Sequence, residues 1–263
     1  MKKQIDDEML FRAWRHETGN HAQKIYGAEE VHGEENFSDF YREIRNSEEF
    51  DAGELEELLD HLDENEERLE SLQEETGMRP HDAARNLYDI TEAILDLNQG
   101  YRRGQSIPAG EATKVLGYHG LEPENRETPV EGNRSWRLPL NTVAKNCRDH
   151  GGPNLYLDER EDGEHYIVEM FDDGPGLAED MEMDEIWEEG EYSSEYGNSG
   201  FGLNMACIAV EAMDGEIAAY REEDGELISS SPTGYGLDAE DLEGADLEDL
   251  GMGFVIGMPL YES

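Results

Sequence analysis

The stretch from Tyr166 to Leu177, YIVEMFDDGPGL, decides the fold of the second half of this chain. Apolar residues alternate along its first part, which is typical of a β-strand with a buried face. The strand ends on two adjacent carboxylates, Asp172 and Asp173, and two glycines that flank a proline follow at once. Asp, Gly and Pro are the ordinary turn formers, so this stretch alone predicts a strand and a tight turn.

The composition is strongly acidic. The 263 residues include 66 acidic and 20 basic side chains, a formal net charge of −46, and only five of the basic residues are lysine. Such a surface repels nucleic acid and anionic membranes, so we expect direct binding to neither. At about 1 M salt the Debye length is about 3 Å, which screens this self-repulsion. We therefore interpret the charge as adaptation to molar salt, as in a haloarchaeal protein.

Neither a membrane span nor a secretory signal is evident. Apolar runs of the length needed to cross a bilayer are absent, and the N-terminus lacks the apolar stretch and cleavage site of a signal peptide. These features predict a cytoplasmic protein without membrane insertion. Cys147 and Cys207 lie far apart in apolar helical contexts, which predicts buried free thiols rather than a disulfide.

The first part of the chain has a helical pattern. Residues 4–31 suit one helix, and residues 52–75 suit a second, charged helix with a single leucine stripe. A helix that is polar on most of its surface needs a partner, and the simplest partner is the first helix in an antiparallel hairpin. Two such hairpins would form a four-helix bundle in a homodimer. Gly77 and Pro80 predict a helix stop and a restart, which separates domain 1–78 from domain 79–263.

The remaining elements predict an α+β sandwich rather than a doubly wound parallel sheet, because helices and strands alternate with hairpins. Residues 225–250 are acidic and rich in Gly and Ser, which predicts a surface loop. The other expected elements are helices at 81–101, 138–147 and 201–215, strands at 154–160, 165–171, 216–222 and 254–260, and an irregular region at 102–130.

Four segments in this second part form an ordered set: TVAKNCRDH, DDGPG, GNSGFGLNMACIAVEAMDG and GMGFVIGMPL. Their order resembles the nucleotide-binding domain of the GHKL ATPase superfamily, which includes gyrase, heat-shock chaperones, histidine kinases and mismatch-repair ATPases. The resemblance covers roughly residues 80 to 263. It implies a Bergerat-type α/β sandwich that binds ATP.

The resemblance assigns a base-binding role to the opening stretch. Asp172, Gly174 and Gly176 match the Asp-x-Gly-x-Gly pattern of the superfamily. A carboxylate at the end of a strand can accept a hydrogen bond from the exocyclic amine of adenine, usually with a bridging water. The glycines would let the backbone pass close beneath the ring, where a Cβ would clash.

The second glycine cluster precedes a helix. Gly197, Gly200 and Gly202 resemble the second glycine box of the superfamily, and Leu203 follows them in the proposed nucleotide site. Free N–H groups and the helix dipole favour phosphate at a helix N-terminus. About twenty residues separate the two boxes, which resembles the short lid of histidine kinases. Ile186 and Trp187 are the expected apolar anchors of that lid.

The resemblance also implies a magnesium ligand. Family members hold Mg²⁺ through an asparagine that matches Asn146, and His150 matches a position often filled by His or Tyr. Mg²⁺ takes few protein ligands, because waters and phosphates supply the others. Asp149 replaces the basic residue that often follows this asparagine, which leaves Lys145 or Arg148 to face the phosphates.

The first helix contains His16-Glu17-x-x-Asn20, which resembles the phosphoacceptor motif of histidine kinase dimerisation helices. His21 replaces the proline that commonly follows. The resemblance implies that His16 is the nucleophile that attacks the γ-phosphoryl group. Glu17 would hold the reactive tautomer and accept the displaced proton, and Asn20 would orient a water in the reverse reaction.

Together these features predict a sensor histidine kinase that uses ATP and Mg²⁺, phosphorylates itself on His16 and passes the phosphoryl group to a response-regulator receiver domain. One alternative is a nucleotide-binding pseudokinase or scaffold without turnover. Others are a GHKL ATPase that forms no phosphohistidine and a phosphatase dominated by Asn20.

Overall fold

A computed structural model of the chain describes residues 5–32, 37–100, 104–124, 126–177, 181–188, 201–223, 226–234 and 251–261. The chain divides into two compact units, a helical unit from Gln4 to Gly100 and a sheet unit from Tyr101 onward. This division falls later than the predicted boundary at residue 78. The difference arises from the helix at 80–99, which packs within the helical unit.

Five helices form the described part of the helical unit. They are α1 (Asp7–His32), α2 (Phe37–Asn46), α3 (Ala52–Glu64), α4 (Glu66–Thr76) and α5 (Pro80–Gln99). The leucine-rich helix expected at 52–75 is interrupted at Asn65, so it forms two helices. Gly77 adopts the left-handed conformation after α4, and Pro80 is the first residue of α5, as the sequence predicts.

The helix α5 is the central helix of this unit. Leu87, Ile90 and Ile94 are fully buried, and α1, α3 and α4 all pack against α5. The helix α1 runs antiparallel to it, because Trp14 bonds to Thr91 at one end and His21 to Asn86 at the other. The expected two-helix hairpin is therefore replaced by packing around α5, whose buried residues occupy more than one face.

The sheet unit has an α+β fold. A five-stranded sheet has the order β3-β4-β7-β5-β6, and all of its neighbouring strands are antiparallel. A separate pair joins β1 to β2. The elements are β1 (Ser106–Pro108), α6 (Ala109–Thr113), β2 (Pro129–Glu131), α7 (Arg137–His150), β3 (Leu155–Asp162), β4 (His165–Asp172), α8 (Phe201–Ala212), β5 (Glu216–Glu223), β6 (Glu226–Ser230) and β7 (Met252–Pro259), with 3₁₀ segments at Lys114–His119, Arg134–Trp136 and Met183–Trp187.

Two segments of the sheet unit differ from the sequence-based expectation. Residues 226–230, expected in a loop, form the edge strand β6, and residues 109–113, expected to be irregular, form α6. The strand β6 owes its conformation to the backbone of β5, with which it pairs over residues 226–230. Strand formation of this kind depends on the neighbouring strand more than on local composition.

The helices α7 and α8 pack against each other and against the sheet. Cys147 on α7 and Cys207 on α8 are free and buried, as predicted, and burial raises the pKa of the Cys147 thiol well above its usual value. Among the helices in the described ranges, none combines the length and apolar composition that a bilayer span requires.

Candidate functional site

A hollow in the sheet unit brings together residues from distant parts of the chain. It has an empty volume of about 350 Å³, which includes solvent at its mouth. Four of the residues that line it were predicted site residues: Asn146 on α7, Asp172 at the end of β4, Gly176, and Leu203 on α8. The other lining residues are apolar: Leu177, Ile186, Met252 and Phe254.

Asp172 is the ionisable group of this hollow. It is 2% exposed, and its Oδ1 accepts a hydrogen bond from the Gly174 N–H at 2.8 Å. Burial raises the pKa of Asp172 above its usual value, although hydrogen bonds from the main chain of Gly174, Gly152 and Met252 oppose this shift. A carboxylate has about four lone-pair sites. Asp172 therefore retains acceptor capacity for a donor that enters the hollow.

Three chain segments each have a glycine at the point where they approach Asp172, and the approach leaves no space for a Cβ. A Cβ on Gly151 would lie 2.5 Å from Cγ of Asp172, and a Cβ on Gly174 or Gly251 would lie 2.7 Å from Oδ1. Sequence reasoning identified Gly174 but missed Gly151 and Gly251. The available signal was the glycine pair directly after α7 and the Gly-Met-Gly at which β7 begins.

Asp173 and Gly176, which follow Asp172 at the end of β4, stabilise the turn. Asp173, predicted to be a spacer, accepts hydrogen bonds from the main-chain N–H of Asn154 at 3.0 Å and from its side-chain amide at 2.5 Å. These bonds lower the pKa of Asp173. Gly176 has a φ of 70°, in the left-handed region that favours glycine. The turn thus fixes the backbone around Asp172 and joins it to the residue that precedes β3.

On α7, Asn146 is half-buried and contributes to the hollow. Of the two basic residues expected to face phosphates, Arg148 lies 3.7 Å from Asp149 in an exposed ion pair, and Lys145 is half-buried. His150 is the last residue of α7. Gly202 and Leu203 lie in the first turn of α8, whereas Gly197 and Gly200 lie outside the described residues.

One wall of the hollow is the 3₁₀ segment Met183–Trp187. Asn204 on α8 donates a hydrogen bond from Nδ2 to the main-chain oxygen of Trp187 at 2.6 Å. Trp187 Nε1 donates to Ser230 Oγ at 3.1 Å, and Ser230 Oγ donates to Asp184 at 2.5 Å. Ile186 and Trp187 are buried, in line with their expected role as apolar anchors. Sequence reasoning missed Asn204 and Ser230, because no local pattern marks these long-range bonds.

The helical unit holds a second group of predicted residues on α1. Nδ1 of His16 lies 2.8 Å from Oε1 of Glu17. The His16 side chain is 30% exposed, whereas that of Glu17 is 3% exposed. An ionised Glu17 carboxylate would accept the hydrogen bond from Nδ1, and in a neutral ring Nε2 would then carry the lone pair. Asn20, one turn along the helix, is exposed to solvent.

Comparison with known proteins identifies similar sensor proteins. No family model matches the chain. Sensor protein SphS of Synechococcus elongatus is 33% identical over 116 residues, which are 40% of this chain and 28% of that protein. The chain thus spans just over a quarter of the length of this curated relative.

Several solved structures are also similar. The mycobacterial sensor histidine kinase MprB has a TM-score of 0.36 and 17% identity over 52% of this chain and 78% of its own. The Acinetobacter baumannii histidine kinase AdeS gives 0.39 and 15% over 79% of this chain and 96% of its own. The histidine kinase domain from the Erythrobacter litoralis blue-light activated histidine kinase EL346 gives 0.38 and 14% over 92% and 94%. All three TM-scores are below 0.4.

Proposed function

We propose that this chain is the catalytic core of a sensor histidine kinase. It would phosphorylate itself on His16 at the expense of ATP and then pass the phosphoryl group to an aspartate of a response-regulator receiver domain. The observation that carries this proposal is the hollow in which Asn146, Asp172 and Leu203 meet. The hydrogen bond between His16 and Glu17 and the similarity to a curated sensor protein support it further.

The hollow has the chemistry of a purine site. Asp172 offers a buried acceptor for the exocyclic amine of adenine, and apolar side chains such as Ile186, Leu203 and Phe254 offer contact with the ring. A buried acceptor that loses its donor costs more than an exposed one, which makes such a group selective for a base with an amine at that position. The glycines around Asp172 let the neighbouring main chain pack closely against its carboxylate.

Asn146 fits the role of the magnesium ligand. Its side chain lines the hollow next to the proposed base site, and a carboxamide oxygen is a hard ligand of the kind that Mg²⁺ accepts. Among the described residues, no group of three or more His, Cys, Asp or Glu side chains is arranged to hold a metal. A metal held here would thus have phosphates and waters as its other ligands. Bound Mg²⁺ would neutralise charge on the triphosphate and orient its terminal group.

His16 would act as the nucleophile. With its proton on Nδ1 and bonded to Glu17, His16 presents the Nε2 lone pair to the γ-phosphorus. The Nε2–P bond forms while the bond from phosphorus to the β,γ-bridging oxygen breaks, and ADP leaves with that electron pair. Glu17 then accepts the Nδ1 proton, which removes the positive charge from the ring. The receiver aspartate would accept the phosphoryl group from Nε2 in the next step. We further propose that the acting species is a homodimer.

The proposal is tested by incubating the full chain with γ-labelled ATP and Mg²⁺ in molar salt. We expect label that is labile to acid and stable to alkali, and we expect His16→Gln to abolish it. His21→Gln is the matched control on the same helix, and it should retain the label. Labelled His16→Gln protein would overturn the assignment of the nucleophile.

The same assay separates the alternative functions. Release of inorganic phosphate without labelled protein would indicate an ATPase that forms no phosphohistidine. Nucleotide binding with neither label nor hydrolysis would indicate a pseudokinase. The ion pair between Arg148 and Asp149 gives that second outcome a physical basis, because it engages one of the two cations expected near the phosphates.

A further inference from the structure

An arginine from α2 lies against α1 one turn from His16. Gly19 is buried in α1, and a Cβ on it would lie 3.7 Å from Nη2 of Arg45 and 3.9 Å from Cζ. The Arg45 guanidinium thus lies against the surface of α1 at position 19. Positions three apart on a helix are neighbours on its surface, with about 5–6 Å between their Cβ atoms. Arg45 thus reaches the immediate surroundings of His16.

Helix geometry places Glu17 and Gly19, the residue that Arg45 contacts, on opposite sides of His16. Successive residues are about 100° apart around the axis, so Glu17 lies about 100° to one side of His16 and Gly19 about 60° to the other. Glu17 is hydrogen-bonded to Nδ1 of His16. His16 therefore lies between Glu17, to which it is hydrogen-bonded, and the glycine that the Arg45 guanidinium contacts.

The position of α2 that brings Arg45 here is fixed by buried contacts. The Tyr41 hydroxyl, one turn before Arg45, lies 3.0 Å from the Thr18 hydroxyl on α1, and Tyr41 is buried. The ring of Tyr41 also contacts Trp14, with 5.2 Å between ring centroids. These contacts anchor the part of α2 from which Arg45 extends.

The surroundings of Arg45 differ from those of Arg42, the other arginine on α2. Arg42 pairs with Asp39 at 3.1 Å and lies over the Tyr26 ring at 4.6 Å. Within the ranges that the structure describes, no carboxylate pairs with Arg45, although the chain has 66 acidic residues. An exposed guanidinium of this kind is well suited to an oxyanion, because its planar donor pairs match two oxygens of a phosphoryl group.

We propose that Arg45 binds the phosphoryl group on His16. The inference rests on the proposed function and adds a residue to it: two guanidinium N–H groups of Arg45 donate to phosphoryl oxygens while the group is bonded to Nε2. The contact stabilises the negative charge of the transferred group and opposes its loss to water. No bond to Arg45 forms or breaks, so the proton and electron balance of the transfer is unchanged.

The first test compares Arg45→Gln with the control Arg42→Gln in the labelling assay. A charge-assisted contact made in transfer predicts that Arg45→Gln lowers the maximal labelling rate about tenfold to a hundredfold, with the KM for ATP within about twofold. Arg45→Lys should restore part of the rate, and Arg42→Gln should label like the wild type. A purely structural role in the last turn of α2 would instead lower the thermal midpoint and leave the rate per folded molecule unchanged. That result, or a wild-type rate in Arg45→Gln, would overturn the inference while leaving the kinase proposal intact.

A second test does not depend on the nucleotide site. Potassium phosphoramidate can phosphorylate the full chain without ATP, and site-resolved mass spectrometry then follows the loss of phosphate from His16. We expect the half-life of phosphorylated His16 to fall about fivefold or more in Arg45→Gln and to stay unchanged in Arg42→Gln. Equal half-lives would refute the contact whether or not ATP labels the chain. A slowed transfer to a receiver domain, with normal labelling and lifetime, would show instead that Arg45 contacts the partner.

Discussion

Gly19 in the helical unit and Gly174 in the sheet unit each lie beside a candidate functional side chain, but a methyl group would meet different surroundings at the two positions. At Gly174 it would meet main-chain atoms of Gly151 and Gly152 together with Oδ1 of Asp172. At Gly19 it would meet only the end of the Arg45 side chain, at an ordinary contact distance. Main-chain atoms cannot move aside cheaply, whereas the end of an exposed arginine can.

The comparison shows that the two sites are built by different means. The hollow in the sheet unit depends on the close approach of three main-chain segments around one buried carboxylate. The site in the helical unit depends on side chains that a regular helix places on one surface. Substitutions that add volume should therefore damage the first site and spare the second.

The largest effect is expected for Gly174→Ala. The added Cβ forces main-chain segments apart, and overpacking of this kind typically costs about 1–3 kcal/mol of unfolding free energy. The same displacement should remove nucleotide binding, because it moves Asp172. Gly117→Ala is the matched control in the sheet unit, because a Cβ there has nothing within 4 Å. Denaturant unfolding and calorimetric titration with a non-hydrolysable ATP analogue measure both quantities, and unchanged binding by Gly174→Ala would contradict the proposed close approach.

The next effect is expected for Asp172→Asn, which should bind nucleotide about tenfold to a hundredfold more weakly. A hydrogen bond to a charged group is worth about 1.5–3 kcal/mol, and the exocyclic amine would lose its charged acceptor. Asp173→Asn is the control, because Asp173 bonds to Asn154 and does not line the hollow. Equal affinities for wild type and Asp172→Asn would argue against Asp172 as the base acceptor.

Although Asp172→Asn should weaken nucleotide binding, it should raise the free energy of unfolding at neutral pH. Burial raises the pKa of Asp172 in the folded chain above its value in the unfolded chain. The contribution of Asp172 to stability is therefore fully present below the unfolded-state pKa and is lost as pH rises through the folded-state pKa. At neutral pH, Asp172→Asn should therefore unfold at higher denaturant concentration than the wild type. The difference should shrink as pH falls and the wild-type carboxyl becomes protonated. A difference that grows on acidification would contradict this sign.

The contrast between the two sites also explains which parts could be predicted from the sequence. His16, Glu17 and Asn20 are close in sequence, so a helix alone fixes their relation. Asp172 and Gly174 are recognisable because a strand ends and a turn begins at those residues. In both cases the relevant geometry is local.

The features that sequence reasoning missed depend on tertiary contacts. Gly151 and Gly251 matter only because the fold brings both to Asp172, and either could serve an ordinary turn. The central position of α5 follows from its partners, and the edge strand β6 exists because β5 is beside it. Arg45 lies on α2, and only the tertiary packing of α2 against α1 brings it to Gly19, one turn from His16.

A smaller effect is expected for Asn204→Ala in the sheet unit. The substitution leaves the main-chain oxygen of Trp187 without its buried donor, which costs about 1–3 kcal/mol. Part of this cost lowers the stability of the fold, and part weakens the wall of the hollow. Because Ile186 belongs to the segment that this bond holds, nucleotide affinity should fall about threefold to tenfold. Glu211→Ala, on the same helix, should leave affinity unchanged. Wild-type affinity in Asn204→Ala would show that the wall is held by Trp187 and Ser230 alone.

The smallest effect is expected for Gly19→Ala, and it should be favourable. Glycine inside a helix costs about 0.5–1 kcal/mol relative to alanine, and a Cβ at position 19 would make only ordinary contact with Arg45. The variant should therefore unfold at a higher denaturant concentration while labelling on His16 stays within about twofold of the wild type. Gly77→Ala is the control in the same unit, and it should destabilise, because Gly77 has a φ of 67° that alanine adopts only with strain. If Gly19→Ala lost stability or most of its labelling, the surface of α1 beside His16 would be as tightly enclosed as the hollow around Asp172, and the distinction between the two sites would fail.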